Sequence, residues 1–130
     1  MSTAQQYNVL DTITVVIDTN LDAKERFFVT LETTGDRIVN LAANAAAPVF
    51  ILMEGVDGST TAGIGTVAMV GRVPVELGGT VTAGAKLTSD SAGKAVATTT
   101  DTDHYGGIAL EDGVSGDIIT MLIAPGMVAG

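Results

Sequence analysis

The sequence predicts a mainly β fold: a small single-domain β-barrel or β-sandwich of short antiparallel strands, with at most one short helix. Three observations carry that expectation. Sixteen of the 130 residues are glycine, and Thr, Val, Ala and Ile are abundant while aromatics are few. That is the composition of many strands joined by many turns. Apolar residues alternate with polar ones at a period of two in several short runs. Turn-forming clusters recur at close spacing, which gives roughly eight to ten strands. The length is that of one domain able to bury a core without staples, and no internal repeat divides it.

The chain is organised around Gly78 to Asp90, continuing through Lys94 to Thr98. Two β-prone runs flank Asp90-Ser91-Ala92-Gly93. Asp favours the first position of a turn, and Gly supplies the backbone freedom that closes it, so this is a hairpin. A second tight turn precedes it at Ala83-Gly84.

Taken in order, residues 1–10 read as an N-terminal arm, polar and unpatterned, with Tyr7 as its anchor. Residues 11–130 form the folded domain. Asp11 to Asp18 alternates, with Ile13, Val15 and Ile17 on one face, and is the first strand. Thr19 to Lys24 is a polar connection. Arg26 to Glu32 is the next strand, with Phe27, Val29 and Leu31 inward and Phe28, Thr30 and Glu32 outward. The chain turns at Thr33-Thr34-Gly35-Asp36 and returns antiparallel over Arg37 to Leu41.

Asn40 to Ala47 is rich in Ala and predicts one or two turns of helix, stopped at Pro48. Val49 to Met53 is apolar on both faces, as a strand covered on both sides would be. Gly55 to Gly65 is a loop. Thr66 to Val70 and Val73 to Leu77 are strands joined at Gly71-Arg72. Pro74 cannot donate to a ladder, so it belongs at an edge or a bulge. Thr99 to Asp103 is a polar loop. The last strands are Gly107 to Glu111 and Asp117 to Ile123, with Pro125-Gly126 ending the order. In the final strand Ile119, Met121 and Ile123 share one face, and Ile118 and Leu122 lie on the other. Such a strand is expected to be covered twice, by its own core and by another layer or subunit.

Fifteen acids against six bases give a net charge of −9. Eight acids and three bases fall in Met1 to Gly65 and the rest after it, so the surface is acidic throughout. Such a field repels phosphates and anionic lipids, which argues against nucleic-acid and membrane partners. There is no Cys, so neither disulfides nor thiol chemistry are available. The polar N-terminus shows no signal-peptide pattern. The longest apolar run, Pro48 to Met53, is too short to span a bilayer. The chain is expected to be made in a cytoplasm and to stay soluble.

The sequence offers little catalytic chemistry. The one His, His104, lies in Asp101-Thr102-Asp103-His104-Tyr105. A nucleophile needs a base oriented by a third group, and a loop His beside two acids is more simply a solvated turn residue. Asp101, Asp103 and His104 could ligate a metal, but there is no second His and no EF-hand spacing. Gly79 to Gly84 has the gap of a phosphate loop. Ala85-Lys86-Leu87 follows it in place of Gly-Lys-Ser/Thr, and strand and turn surround it. No catalytic, cofactor-binding or metal-binding residue is assigned, and the chain is expected not to be an enzyme. A binding-module alternative is a lipoyl- or biotinyl-type carrier, with Lys94 in Ser89-Asp90-Ser91-Ala92-Gly93-Lys94-Ala95 as the modified residue. The Asp-Lys-Ala or Met-Lys-Met core of such carriers is missing here.

Gly71-Arg72-Val73-Pro74-Val75-Glu76-Leu77-Gly78-Gly79-Thr80-Val81-Thr82-Ala83-Gly84-Ala85-Lys86-Leu87-Thr88-Ser89-Asp90-Ser91-Ala92-Gly93-Lys94-Ala95 is followed by Gly107-Ile108-Ala109-Leu110-Glu111, Ser115-Gly116-Asp117-Ile118-Ile119 and Leu122-Ile123-Ala124-Pro125-Gly126. This half of the chain resembles the capsid decoration, or cement, proteins of tailed bacteriophages. The resemblance implies a structural virion protein on the outer capsid surface, made in the host bacterial cytoplasm. It implies homotrimers at threefold and quasi-threefold positions that bridge major capsid protein subunits and stabilise the lattice. It also implies an N-terminal arm in contact with the capsid, which makes Ser2, Thr3, Gln5, Gln6, Tyr7 and Val9 the candidate capsid contacts. Ile118, Leu122 and Pro125 are the candidate contacts between copies.

Overall fold

The computed structural model describes residues 7–45 and 49–129, which hold nine strands. They are β1 (Asn8–Ile17), β2 (Phe28–Leu31), β3 (Ile38–Leu41), β4 (Val49–Glu54), β5 (Gly63–Glu76), β6 (Lys86–Ser89), β7 (Ala95–Ala97), β8 (His104–Ala109) and β9 (Ile118–Met127).

The strands run β1-β3-β2-β4-β5-β9-β8-β6-β7, and β1 also pairs with β5. The first five therefore close into a barrel. Closure uses a parallel contact, Val16 against Ile38 and Ile17 against Val39, while the other ladders are antiparallel. Alternation along each strand sends every second side chain inward. Val15 and Ile17 of β1, Val29 of β2, Val39 of β3, Leu52 of β4 and Val67 of β5 fill the interior, with Leu21 from the loop after β1.

A second core lies outside the barrel. Phe28, Ile51 and Ala68 are partners across β2, β4 and β5 and point away from the barrel interior. The second half of β5 and the sheet of β9, β8, β6 and β7 pack over them, with Val73 and Val75 from β5, Leu77 just after it, and Leu87, Ala109, Ile119 and Met121 from the sheet. Burial of this second aliphatic set, at about 25 cal/mol per Å² of apolar area, holds the two layers together.

β5 serves both layers because it bends at Gly71. Before the bend Val67 faces the barrel and Ala68 the second core; after it Val73 and Val75 face the second core. The phase shift needs the positive φ of Gly71, +119°, and a Cβ there would stand 2.2 Å from the carbonyl oxygen of Asn8. The β1–β5 register slips at the same place, between Val9 and Thr12.

The hairpin at the centre of the sequence is present as β6 and β7. Asp90 Oδ1 accepts from the N–H groups of Ala92 and Lys94 at 2.8 and 2.9 Å, and Gly93 takes φ +84°. Gly84 closes the preceding turn at φ +89°, with Ala85 N–H donating to the Thr82 carbonyl. Pro74 has β9 as its only ladder partner among the described strands, since β1 pairs with β5 no further than Arg72.

Several expectations are corrected. The two strands expected between Thr66 and Leu77 are one, β5, which starts at Gly63 inside the expected loop and ends at Glu76, because Gly71 bends the backbone without ending the ladder. Phe28, expected to face solvent, is 1% exposed because the second layer covers the barrel's outside. Asn40 and Leu41 belong to β3 and Ala42 to Ala45 form no helix; Ala46 to Pro48 lie outside the described residues. β8 starts at His104, since a bulge at Gly106 carries the ladder past the glycines. β9 runs through Pro125 and Gly126 to Met127. Tyr105 is the partner of Gly126, and its ring occupies the space a Cβ there would need.

Candidate functional site

The described surface offers contact geometry more than reaction geometry. One sheet face stands out. Val73, Val75, Ile119, Met121 and Ala109 fill the second core, so the alternating residues of β5, β9 and β8 face outward. Across the ladders, Arg72 lies beside Leu122 and Leu122 beside Ile108, Pro74 beside Thr120, and Glu76 beside Ile118. Ile118 and Leu122 are each 42% exposed and Leu110 is 45% exposed. The sequence assigned Ile118 and Leu122 to the side of the last strand opposite its core, and the structure places both there. Pro125 lies further along β9, exposed, at an apolar cleft of about 160 Å³ whose walls include Phe50, Met69 and Ile123.

β1 supplies the second feature. It pairs with β5 along its length but with β3 only at Val16 and Ile17. From Asn8 to Val15 its other edge has no partner among the described strands, and such an edge can accept a further strand. Tyr7 is exposed just before it, and Leu10 is exposed at the register slip. Val9 instead packs against the second core, so it ties the start of β1 to the domain. Ser2, Thr3, Gln5 and Gln6 lie outside the described residues.

The residues weighed for chemistry are dispersed. Lys94 stands at the foot of the β6–β7 hairpin with Nζ 3.5 Å from Glu76 Oε2 and 5.9 Å from the centre of the Phe27 ring. A carrier lysine has to project freely from a turn, and this one is held against the fold. His104 is in β8 opposite Met127, and its carbonyl accepts from Thr88 Oγ1 at 2.6 Å. Asp103 accepts from Thr98 Oγ1 at 2.7 Å. Among the described residues, no three His, Cys, Asp or Glu side chains converge as a metal site would require. The hydroxyl and N–H of Ser59 hold the exposed Asp57 carboxyl below its ordinary pKa, an Asx turn in a loop. Sequence reasoning passed over Arg72 and Thr120, which sit in the middle of the exposed face. A lone Thr in an apolar strand carries no signal before its neighbours across the ladder are known.

Fold and surface together define a small β-barrel domain with an appended sheet, notable for an apolar outer face and an unpaired strand edge. A solved structure shares this fold: the head fiber gp8.5 N base of bacteriophage phi29, with a TM-score of 0.71 and 20% sequence identity, covering 88% of this chain and 93% of that one. A bacteriophage head protein therefore carries the same architecture, in line with the resemblance read from the sequence. No family model matches the chain, and no curated protein matches its sequence.

Proposed function

We propose that this protein is a structural, non-enzymatic component of a phage head, bound to the outer capsid surface. The observation that carries this reading is the shared fold with the head fiber base, which spans nearly the whole of both chains. Copies associate as trimers at threefold and quasi-threefold positions, contact the major capsid protein and stabilise the lattice. The surface suits such a role. The free edge of β1 can add to a neighbour's sheet by main-chain hydrogen bonds. The exposed apolar side chains of β9 can pack against another copy. Weak contacts repeated on a lattice gain from avidity. The acidic surface disfavours nucleic acid and anionic membranes as partners.

The test is co-sedimentation of the purified protein with heads of its own phage that lack it, before and after expansion, followed by a heat or low-salt challenge. Saturable binding to expanded heads with better survival supports the reading. Absence of binding to both head forms rejects it.

A further inference from the structure

The exposed face of β5, β9 and β8 contains one buried hydroxyl, that of Thr120. Thr120 is 2% exposed although it points away from the core. Its Oγ1 finds no hydrogen-bond partner among the described residues. Pro74 is opposite on β5, and on the β8 side the Leu110 N–H donates to the Thr120 carbonyl. Ile118 and Leu122 flank Thr120 along β9. A cavity of about 150 Å³, lined by Arg72, Leu110, Glu111 and Thr120, lies over it. That is room for the end of a side chain. Interface hot spots cluster in desolvated pockets near the centre of a patch, and Arg, here Arg72 in the cavity wall, is among the residues enriched in them.

Charge is graded along the same face. The row that carries Leu122 and Ile108 ends in Arg72 on one side and Lys86 on the other. The row that carries Ile118 ends in Glu76, which is paired with Lys94 at 3.5 Å and has the Asp117 carboxylate next to Ile118 in sequence. Arg72 and Lys86 therefore outnumber the nearby Glu111 at one end, and Glu76 and Asp117 outnumber Lys94 at the other. A patch with opposite signs at its two ends can meet a neighbouring copy head to tail, the positive end of one near the negative end of the next, as a ring of three requires. On a chain with 15 acids and 6 bases, most other surfaces of two copies repel.

We propose that this face docks a second copy of the chain, and that a carboxylate of that copy enters the cavity over Thr120. There the Thr120 hydroxyl donates to it and the Arg72 guanidinium pairs with it. A guanidinium has five donors and can serve more than one carboxylate, so Glu111 in the cavity wall does not exclude the incoming group. The inference rests on the proposed association of copies, whose polar contact it names, and is independent of binding to heads.

The test uses the full chain in sedimentation velocity over a concentration series, without heads, alongside thermal melts. Thr120→Val is nearly isosteric and removes the buried hydroxyl. It should raise the melting temperature of the dissociated protein and weaken self-association about tenfold or more. Arg72→Glu should weaken association further, with an unchanged circular dichroism spectrum. A wild-type chain that stays monomeric throughout, or a Thr120→Val protein that associates as tightly as wild type, overturns the proposal. Head binding is measured separately. Self-association without head binding rejects the capsid reading alone; head binding by a chain that stays monomeric rejects this proposal alone.

Discussion

Phe28 and Val29 are neighbours in β2, both are buried, and they fill different cores. Val29 meets Val39 and Leu52 inside the barrel, while Phe28 meets Ile51 and Ala68 under the second layer. β2 is therefore the inner wall of one core and the floor of the other. Phe28→Ala should empty the floor and cost about 3–5 kcal/mol. Urea unfolding would show this as a lower midpoint at unchanged slope. A midpoint close to wild type would mean that the second layer contributes little to stability.

The same pair shows where sequence reading stops. Alternation put Val29 and Leu31 inward and Phe28 outward; Val29 does fill the barrel, but Leu31, at the end of β2, is 39% exposed. Alternation cannot say that a second layer covers the other side, because the strands that cover it lie far along the chain. Local chemistry was legible where it is self-contained. Asp90 and Gly93 specify their turn, Ile13, Val15 and Ile17 specify a strand face, and Pro74 specifies a place with one ladder partner. It misled where one residue has two uses. Gly71 looks like a turn but supplies a bend within β5, and Gly126 looks like a stop but makes room for the Tyr105 ring. Parallel closure of β1 on β3 has no local signature. The outward set Ile118 and Leu122 was readable from period two. The cavity over Thr120 was not, because its walls come from β5, β9 and the turn after β8.

Gly71 and Gly84 both hold positive φ, but only one is sterically enclosed. A Cβ at Gly71 would meet the carbonyl oxygen of Asn8, whereas a Cβ at Gly84 meets nothing within 4 Å. Gly84→Ala should cost about 1–2 kcal/mol, the left-handed backbone penalty alone. Gly71→Ala should cost more, because the β1–β5 ladder must also shift. Amide exchange should then rise along Asn8 to Thr12. Equal costs for the two variants would mean that β1 gives way freely at the bend.

Asp57 offers a pH test. The Ser59 hydroxyl and N–H both bond to its carboxylate, at 2.5 and 3.0 Å, and lower its pKa. A depressed carboxyl contributes stability that is present above its unfolded pKa and is lost as pH falls through the folded value. The loop carrying Asp57 should therefore loosen only in acid. Ser59→Ala should move the Asp57 titration, followed by NMR, back up toward its ordinary value. An unmoved titration would show that the hydroxyl bond does not form in solution.

Leu122 separates folding from assembly. Its side chain is 42% exposed on the outer face of β9, while its neighbour Met121 is 1% exposed in the second core. In a monomer, Leu122→Asp places a carboxylate in water beside Arg72 and Ile108, so the fold should lose less than about 1 kcal/mol. In an assembled state, the same change buries a charge in an apolar contact, which is strongly unfavourable. The variant should keep its circular dichroism spectrum and melting temperature but fail to self-associate and bind heads poorly. Deleting Ser2 to Gln6 is the complementary change, expected to weaken head binding while leaving self-association intact. If Leu122→Asp unfolds the monomer, Leu122 belongs to the core and the outer face loses its centre. If it assembles normally, the copies meet elsewhere, and the free edge of β1 becomes the surface to mutate.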